Sequence, residues 1–246
     1  MTDRMFHPRG PTFWELAEQA LSSTQRGYDL LAPKFDYTPF RTPDFVLEPA
    51  LERVAKAGPI ESALDICCGT GAAMQHLRTH CRRRLVGIDM SRGMLDVGRA
   101  NLAGDVGRSN APPYLEFVLG DALDMPFENE FDLAVCFGAH GHILPKDEPR
   151  FVNQIARVLL PGGRFAFVSG YMPPLWSPRF WLARAFNAAM RVRNVLFQPP
   201  FIMYYLTFML PRAAQLLKRG GFDVTIDDTC FTGRLSPLKL VVATKR

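Results

Sequence analysis

Between Glu148 and Asp223 the sequence has no acidic residue, although the same stretch carries ten arginines and lysines. Charge of one sign over such a length points to an anionic partner or surface, or to a basic face that simply meets water. Cysteine is sparse as well. Cys67, Cys68, Cys81, Cys136 and Cys230 are odd in number, lie mostly inside apolar runs and lack zinc-ligand spacing, so they read as reduced packing residues and no metal site is expected. The adjacent pair Cys67 and Cys68 would face opposite sides of a strand and bridge poorly. The first ten residues are polar and charged, unlike a secretory leader, which predicts a cytoplasmic protein. The apolar run at 201–210 is too short and proline-bounded to span a bilayer. Internal repeats and low-complexity tracts are missing, as is the P-loop pattern, which removes that type of phosphate cradle.

What is present fits one large α/β domain with an appendage: 246 residues, 48% of them hydrophobic, suffice for one core. Residues 1–59 alternate helical stretches with proline-punctuated turns, and Phe13, Leu16, Ala17, Ala20 and Leu21 recur at helical spacing. This part is predicted to be a helical lid, ending in a helix over 45–57. From 60 to 170 short apolar runs alternate with helical periods. Strands are predicted at 63–67, 85–88, 114–119, 131–137 and 164–169, with helices at 72–80, 91–102 and 149–160. Residues 171–210 break the alternation and are read as a helical insertion after the fifth strand. A helix at 211–219 and strands at 222–226 and 238–243 complete the stretch 211–246. The expected fold is a Rossmann-like α/β domain, a seven-stranded, mostly parallel sheet with helices on both faces. Its ligand crevice should lie at the carboxyl ends of the strands.

The first of those ends reads Ala-Leu-Asp-Ile-Cys-Cys-Gly-Thr-Gly over 63–71. Gly69 and Gly71 let backbone approach a ligand with no Cβ in the way. A dinucleotide fingerprint would need a third glycine where Met74 stands, which disfavours a nicotinamide cofactor. S-adenosylmethionine (SAM) has no phosphate and needs polar contacts for ribose, adenine and the methionine zwitterion instead. Asp89, in Val-Gly-Ile-Asp-Met-Ser at 86–91, could accept both ribose hydroxyls. Asp121, in Gly-Asp-Ala-Leu-Asp-Met-Pro-Phe at 120–127, could accept from the adenine amino group. Either carboxylate could instead cap a turn; three signals at successive strand ends argue together for SAM.

In this order the motifs resemble those of the class I SAM-dependent methyltransferase superfamily, over roughly 60–170 and the last two strands. The resemblance implies SAM as cofactor and S-adenosylhomocysteine (SAH) as product. It implies Asp89 on the ribose, Asp121 on adenine, and the Gly69/Gly71 loop, with Asp65 and Cys67, against the methionine part. Met90, Ala122 and Phe137, beside the same strand ends, complete the implied cofactor set. Leu-Leu-Pro-Gly-Gly-Arg-Phe at 159–165 resembles the family's turn into the fifth strand. Cys67 is a departure, since many members have glycine there; Cys-Cys-Gly-Thr-Gly is similar to the variant in quinone-biosynthesis methyltransferases. Tyr-Asp-Leu-Leu-Ala-Pro-Lys-Phe-Asp at 28–36 resembles the lid of small-molecule members. It implies that Tyr28 covers the cofactor and Arg41 pairs with its carboxylate; the alternative is lid packing for Tyr28 and a surface charge for Arg41.

Methyl transfer from a sulfonium chiefly needs the acceptor oriented and water excluded, so no catalytic side chain is obligatory. The candidate bases are His140 and His142, in Phe-Gly-Ala-His-Gly-His-Ile at 137–143; loop hydrogen bonding is the alternative. Gln-Pro-Pro-Phe at 198–201 looks like a tetrapeptide of nucleic-acid methyltransferases but falls beyond the fifth strand, so nucleic acid is disfavoured as a partner. The aromatic, arginine-rich insertion is read as a pocket cap for a hydrophobic or aromatic acceptor. Alternatively it is an interfacial element meeting anionic lipid, or a helical subdomain or dimer contact. The first expectation is methylation of an O or N atom of a small, largely apolar acceptor. A membrane-associated lipid or quinone-like acceptor comes second, and a non-methylating SAM- or nucleotide-binding protein or nicotinamide-dependent oxidoreductase third. Oligomeric state stays open.

Overall fold

The computed structural model describes residues 5–103 and 113–246. Seven strands form one sheet in the order β3-β2-β1-β4-β5-β7-β6. They are β1 Ile60–Ile66, β2 Cys81–Asp89, β3 Tyr114–Leu119, β4 Phe131–Val135, β5 Leu159–Gly170, β6 Phe222–Asp227 and β7 Leu238–Lys245. β7 runs antiparallel to both of its neighbours, and the other pairs are parallel. The expected Rossmann-like sheet is therefore the one observed.

The central strands are apolar almost throughout because both faces are covered. Side chains alternate between the faces. Ala63, Leu85 and Leu133 enter a core with α3 Asp44–Lys56, α4 Ala72–Leu77 and α5 Arg92–Ala103, whereas Leu64, Ile66, Val86 and Ile88 enter one with α6 Glu148–Val158 and α8 Arg212–Arg219. In α6, Phe151, Ile155 and Val158 recur at helical spacing and are fully buried, each burial contributing about 1.5–3 kcal/mol of apolar transfer.

Several strand limits differ from the periodicity: β1 begins at Ile60 rather than 63, β2 at Cys81 rather than 85, β4 ends at Val135 rather than 137 and β7 at Lys245 rather than 243, and two further differences have a local cause. β1 ends at Ile66, because Cys67 turns out of the strand with φ of 57°; apolar character alone does not report backbone handedness. β5 begins at Leu159, which pairs with Phe131 before the Pro-Gly-Gly bulge; pairing then resumes at Leu133 and Arg164.

The lid consists of α1 Phe13–Leu21, α2 Thr24–Leu31 and a tight turn over Ala32–Tyr37. A capping box between Thr12 and Glu15 starts α1. Two aspartates dock the lid on the core. Asp29 Oδ1 accepts from Ser91 Oγ at 2.6 Å and from Gly93 N at 2.9 Å, at the start of α5, and Asp36 Oδ1 accepts from Thr70 Oγ1 at 2.6 Å. The insertion contains one long helix, α7 Pro178–Leu196. Its base is closed where Leu210 N donates to Gly170 O at 2.9 Å.

Candidate cofactor and acceptor site

β1 and β4 are neighbours in the sheet, and the helices that follow them pack on opposite faces. Such a switch point opens a crevice at the carboxyl ends of the strands. Here it holds a cavity of about 300 Å³. Asp65, Cys67 and Gly69 form its floor with Asp89 and Met90 from the end of β2; Asp121, Ala122 and Phe137 come from the loops after β3 and β4. Tyr28 and Arg41 of the lid, His142, and Ile202 of the insertion close it from above.

Left-handed backbone at Cys67 (57°), Gly69 (53°) and Gly71 (82°) builds the loop after β1. A non-glycine residue in this conformation costs roughly 1–2 kcal/mol, which is why glycine is the commoner choice where Cys67 stands. The neighbouring Cys136 thiol, then burial, push the Cys67 thiol pKa well up, so it remains neutral. Gly71 is outside the cavity lining: it is the N-cap of α4, and a Cβ there would lie 2.8 Å from Leu102 Cδ1. Met74, in the place of a third glycine, is buried against β2, where a Cβ on Gly87 would come within 2.5 Å of its sulfur.

Asp65 is 2% exposed, and its Oδ2 has no hydrogen-bond partner. Burial, and then the charge of Asp89, raise its pKa well above the usual carboxylate range. Burial also raises Asp89, although Ser91 N and Gly69 N each donate to it at 2.9 Å and pull the other way. Arg41, the arginine in the lining, already pairs with Asp44 Oδ1 at 2.9 Å and lies 3.6 Å from Asp36 Oδ1. A buried Asp65 and a half-buried Asp89 therefore share the floor with no ion pair among the described residues, a setting that suits a ligand bringing hydrogen-bond donors and positive charge. SAM brings a sulfonium, an ammonium and two ribose hydroxyls. A dinucleotide would instead bring phosphate charge towards carboxylates. Asp121 lines the cavity, and its Oδ1 caps its own turn by accepting from Leu123 N at 2.8 Å.

The two histidines part company. His142 Nδ1 lies 2.5 Å from the Ile202 carbonyl, which can only accept, so Nδ1 carries the proton and Nε2 accepts from Tyr28 Oη at 2.9 Å. Burial raises the Tyr28 pKa and lowers that of His142, keeping the pair neutral. His140 is turned away from the cavity. Its ring stacks on Phe208 at 5.0 Å, its buried Nε2 has no partner, and desolvation lowers its pKa to about 4. A tight turn over His140–His142 sends the two rings in different directions, so the expectation that either could serve as base narrows to His142.

Residues not anticipated from sequence hold the roof. Asn187 Nδ2 donates to Tyr205 O at 2.9 Å and its Oδ1 accepts from Tyr205 N at 2.8 Å. Asn194 does the same for Phe201, at 3.0 and 2.9 Å. These clamps flank Ile202, and Phe201 stacks on Tyr28 with centroids 6.1 Å apart. Two asparagines seven residues apart on one helical face were the available signal.

A seven-stranded sheet in this order, with one antiparallel strand and acidic side chains at three successive strand ends, defines the class I methyltransferase architecture. Residues 63–163 match the family described as methyltransferase domain. Demethylmenaquinone methyltransferase of Symbiobacterium thermophilum is 35% identical over 121 residues, covering 47% of this chain and 45% of that protein. 2-Phytyl-1,4-naphtoquinone methyltransferase of Synechococcus elongatus is 31% identical over 153 residues, covering 59% and 63%. The chain spans about half the length of the curated relatives it matches. Among solved structures, the DhpI–SAH complex superposes with a TM-score of 0.63 at 17% identity, covering 94% of this chain and 98% of that one. Over residues 63–163 the chain is thus similar to the methyltransferase-domain family, and its fold is the one seen in the DhpI–SAH complex.

Proposed function

We propose that the protein transfers the methyl group of SAM to an O or N atom of a small, largely apolar acceptor. The observation that carries this reading is the pair of carboxyl groups on the crevice floor, Asp65 buried with its Oδ2 unpartnered among the described residues and Asp89 held by Gly69 N and Ser91 N. SAM supplies the methyl group already activated on its sulfonium sulfur. Asp89 would take the ribose hydroxyls, Asp121 and the backbone at Ala122 the adenine, and Asp65 with the Cys67 and Gly69 backbone the methionine part. Met90 and Phe137 would add apolar contact, and Tyr28 would cover the cofactor. Arg41 would reach the cofactor carboxylate only by releasing Asp44.

The lid and insertion, with Ile143 of the loop after β4, exclude water and present Phe35, Phe40, Ile143 and Ile202 to the acceptor. An acceptor hydroxyl that donates to Tyr28 Oη can lose its proton as the Tyr28 proton moves to His142 Nε2. The Ile202 carbonyl then holds the resulting imidazolium through Nδ1. The similarity to quinone methyltransferases favours a second reading within the same chemistry, a lipid- or quinone-like acceptor.

The test is SAH release across a panel of hydroquinones, phenols, amines, carboxylates and lipids, with calorimetric titration of SAM and NAD alongside. SAM binding and turnover of one apolar class are expected. NAD binding without SAM binding would overturn the reading.

A further inference from the structure

The outer face of α7 exposes a run of large apolar side chains. In a helix of 19 residues, about 28 Å long, the inward line runs through Phe180, Ala183, Asn187, Met190 and Asn194. The opposite stripe carries Trp181, Leu182, Val192, Val195 and Leu196, with Leu182 at 74% exposure and Val195 at 80%. A surface helix ordinarily turns charged residues outward; this one turns apolar residues in both directions. Leu175 and Trp176 extend the stripe ahead of the helix, and all three tryptophans of the chain are exposed: Trp14 at 79%, Trp176 at 86% and Trp181 at 61%. Arg193 bonds Ala20 O and Ser22 O, at 2.8 and 2.7 Å, which sets the exposed Leu21 of α1 beside the end of α7.

Charge decides what covers this face. Arg184 and Arg191 stand seven residues apart on one flank of the stripe, and both are exposed. Neither has an ion pair among the described residues, and no acid occurs anywhere between Glu148 and Asp223. Two copies packed symmetrically through this face would bring like charges together with no acid of the segment to pair them. We infer that the outer face of α7, continued by Leu175, Trp176 and Leu21, docks flat on an anionic lipid bilayer. The apolar stripe enters the acyl boundary, tryptophans sit at the headgroup level and the arginines reach lipid phosphates. No described helix is long and apolar enough to cross the membrane. The inner face of the same helix holds the Phe201 and Tyr205 backbone around Ile202. A lipid-soluble acceptor leaving the bilayer would therefore meet the roof of the cavity, a route that rests on the apolar-acceptor reading.

Docking itself is tested without cofactor or acceptor, so its failure is separate from any failure of the methyltransferase reading. Full-length protein is sedimented with vesicles of phosphatidylcholine alone and of phosphatidylcholine mixed with phosphatidylglycerol, and tryptophan emission is recorded. Wild-type protein is expected to pellet with the mixed vesicles and to shift its emission to shorter wavelength. Arg184→Gln with Arg191→Gln should lower the partition coefficient about fivefold per arginine. Trp181→Ser with Val195→Ser, both at exposed positions, should abolish pelleting at unchanged circular dichroism. The inference is overturned by wild-type protein that stays in the supernatant, by variants that pellet like wild type, or by a solution dimer that the Trp181→Ser/Val195→Ser pair dissociates.

Discussion

The floor and the roof of the cavity are built in opposite ways. On the floor, Asp65, Asp89 and Asp121 each sit at or just past the end of a strand, and backbone N–H groups of the adjoining loops set the Asp89 and Asp121 carboxylates. The roof joins segments far apart in sequence. Tyr28 comes from α2, His142 from the loop after β4 and Ile202 from the insertion, and they meet through hydrogen bonds spanning 114 and 60 residues. A floor of this kind is specified by short stretches of chain, which suits an invariant ligand such as the proposed cofactor. A roof assembled from distant segments can be reshaped without disturbing the strands, which suits the proposed acceptor side.

Separating the two experimentally begins with the largest effect. His142→Ala should reduce kcat by about 10²–10⁴-fold, the usual contribution of a positioned base, while SAH affinity measured by calorimetry stays at the wild-type value. Loss of affinity together with kcat would merge roof and floor into one unit. The wall behind the roof gives the next effect. The folded pKa of His140, about 4, lies below its ordinary 6.5, so the unfolded chain takes up the proton first. The associated stability is complete above about pH 6.5 and lost as pH falls towards 4, about 3 kcal/mol over that window. A series of Tm measurements from pH 7 to 4 should show this decline in wild type and a shallower one in His140→Phe; coincident slopes would remove His140 as the cause.

On the floor, Asp89→Ala should weaken SAM binding by about 1.5–3 kcal/mol, because a charge-assisted contact is lost and Gly69 N and Ser91 N lose their acceptor. An unchanged Kd would refute the ribose assignment. The smallest effect discriminates between loop and strand at Cys67. Glycine in a strand is destabilising, but in the left-handed conformation it relieves strain, so Cys67→Gly should raise the unfolding midpoint in urea by an equivalent of about 0.5–1 kcal/mol. A lowered midpoint would mean that the residue behaves as part of β1.

Legibility in the sequence follows the same division. The strands and the helix stripes follow periods of two or 3.6 residues, and the acidic residues stand at the ends of the apolar runs, so both can be counted along the chain. Beyond that reach were the lid anchors Asp29 and Asp36, which look like ordinary lid aspartates until Ser91 and Thr70 are placed against them. The asparagine clamps of α7 left only their seven-residue spacing as a signal, since their partners are backbone groups with no sequence signature. His140 and His142 were indistinguishable as letters, and one turn of backbone assigned one to the aromatic core and the other to the cavity.

By itself, then, the sequence determined the parallel sheet, the glycine loop and the positions of Asp65, Asp89 and Asp121, because hydrophobic periodicity and turn chemistry act over a few residues. Only the tertiary structure decided the protonation geometry of Tyr28 and His142, the exclusion of Gly71 and His140 from the cavity, and the apolar outer face of α7. Those features depend on burial and on hydrogen bonds between distant segments, and desolvation is a property of the packed molecule rather than of any stretch of chain.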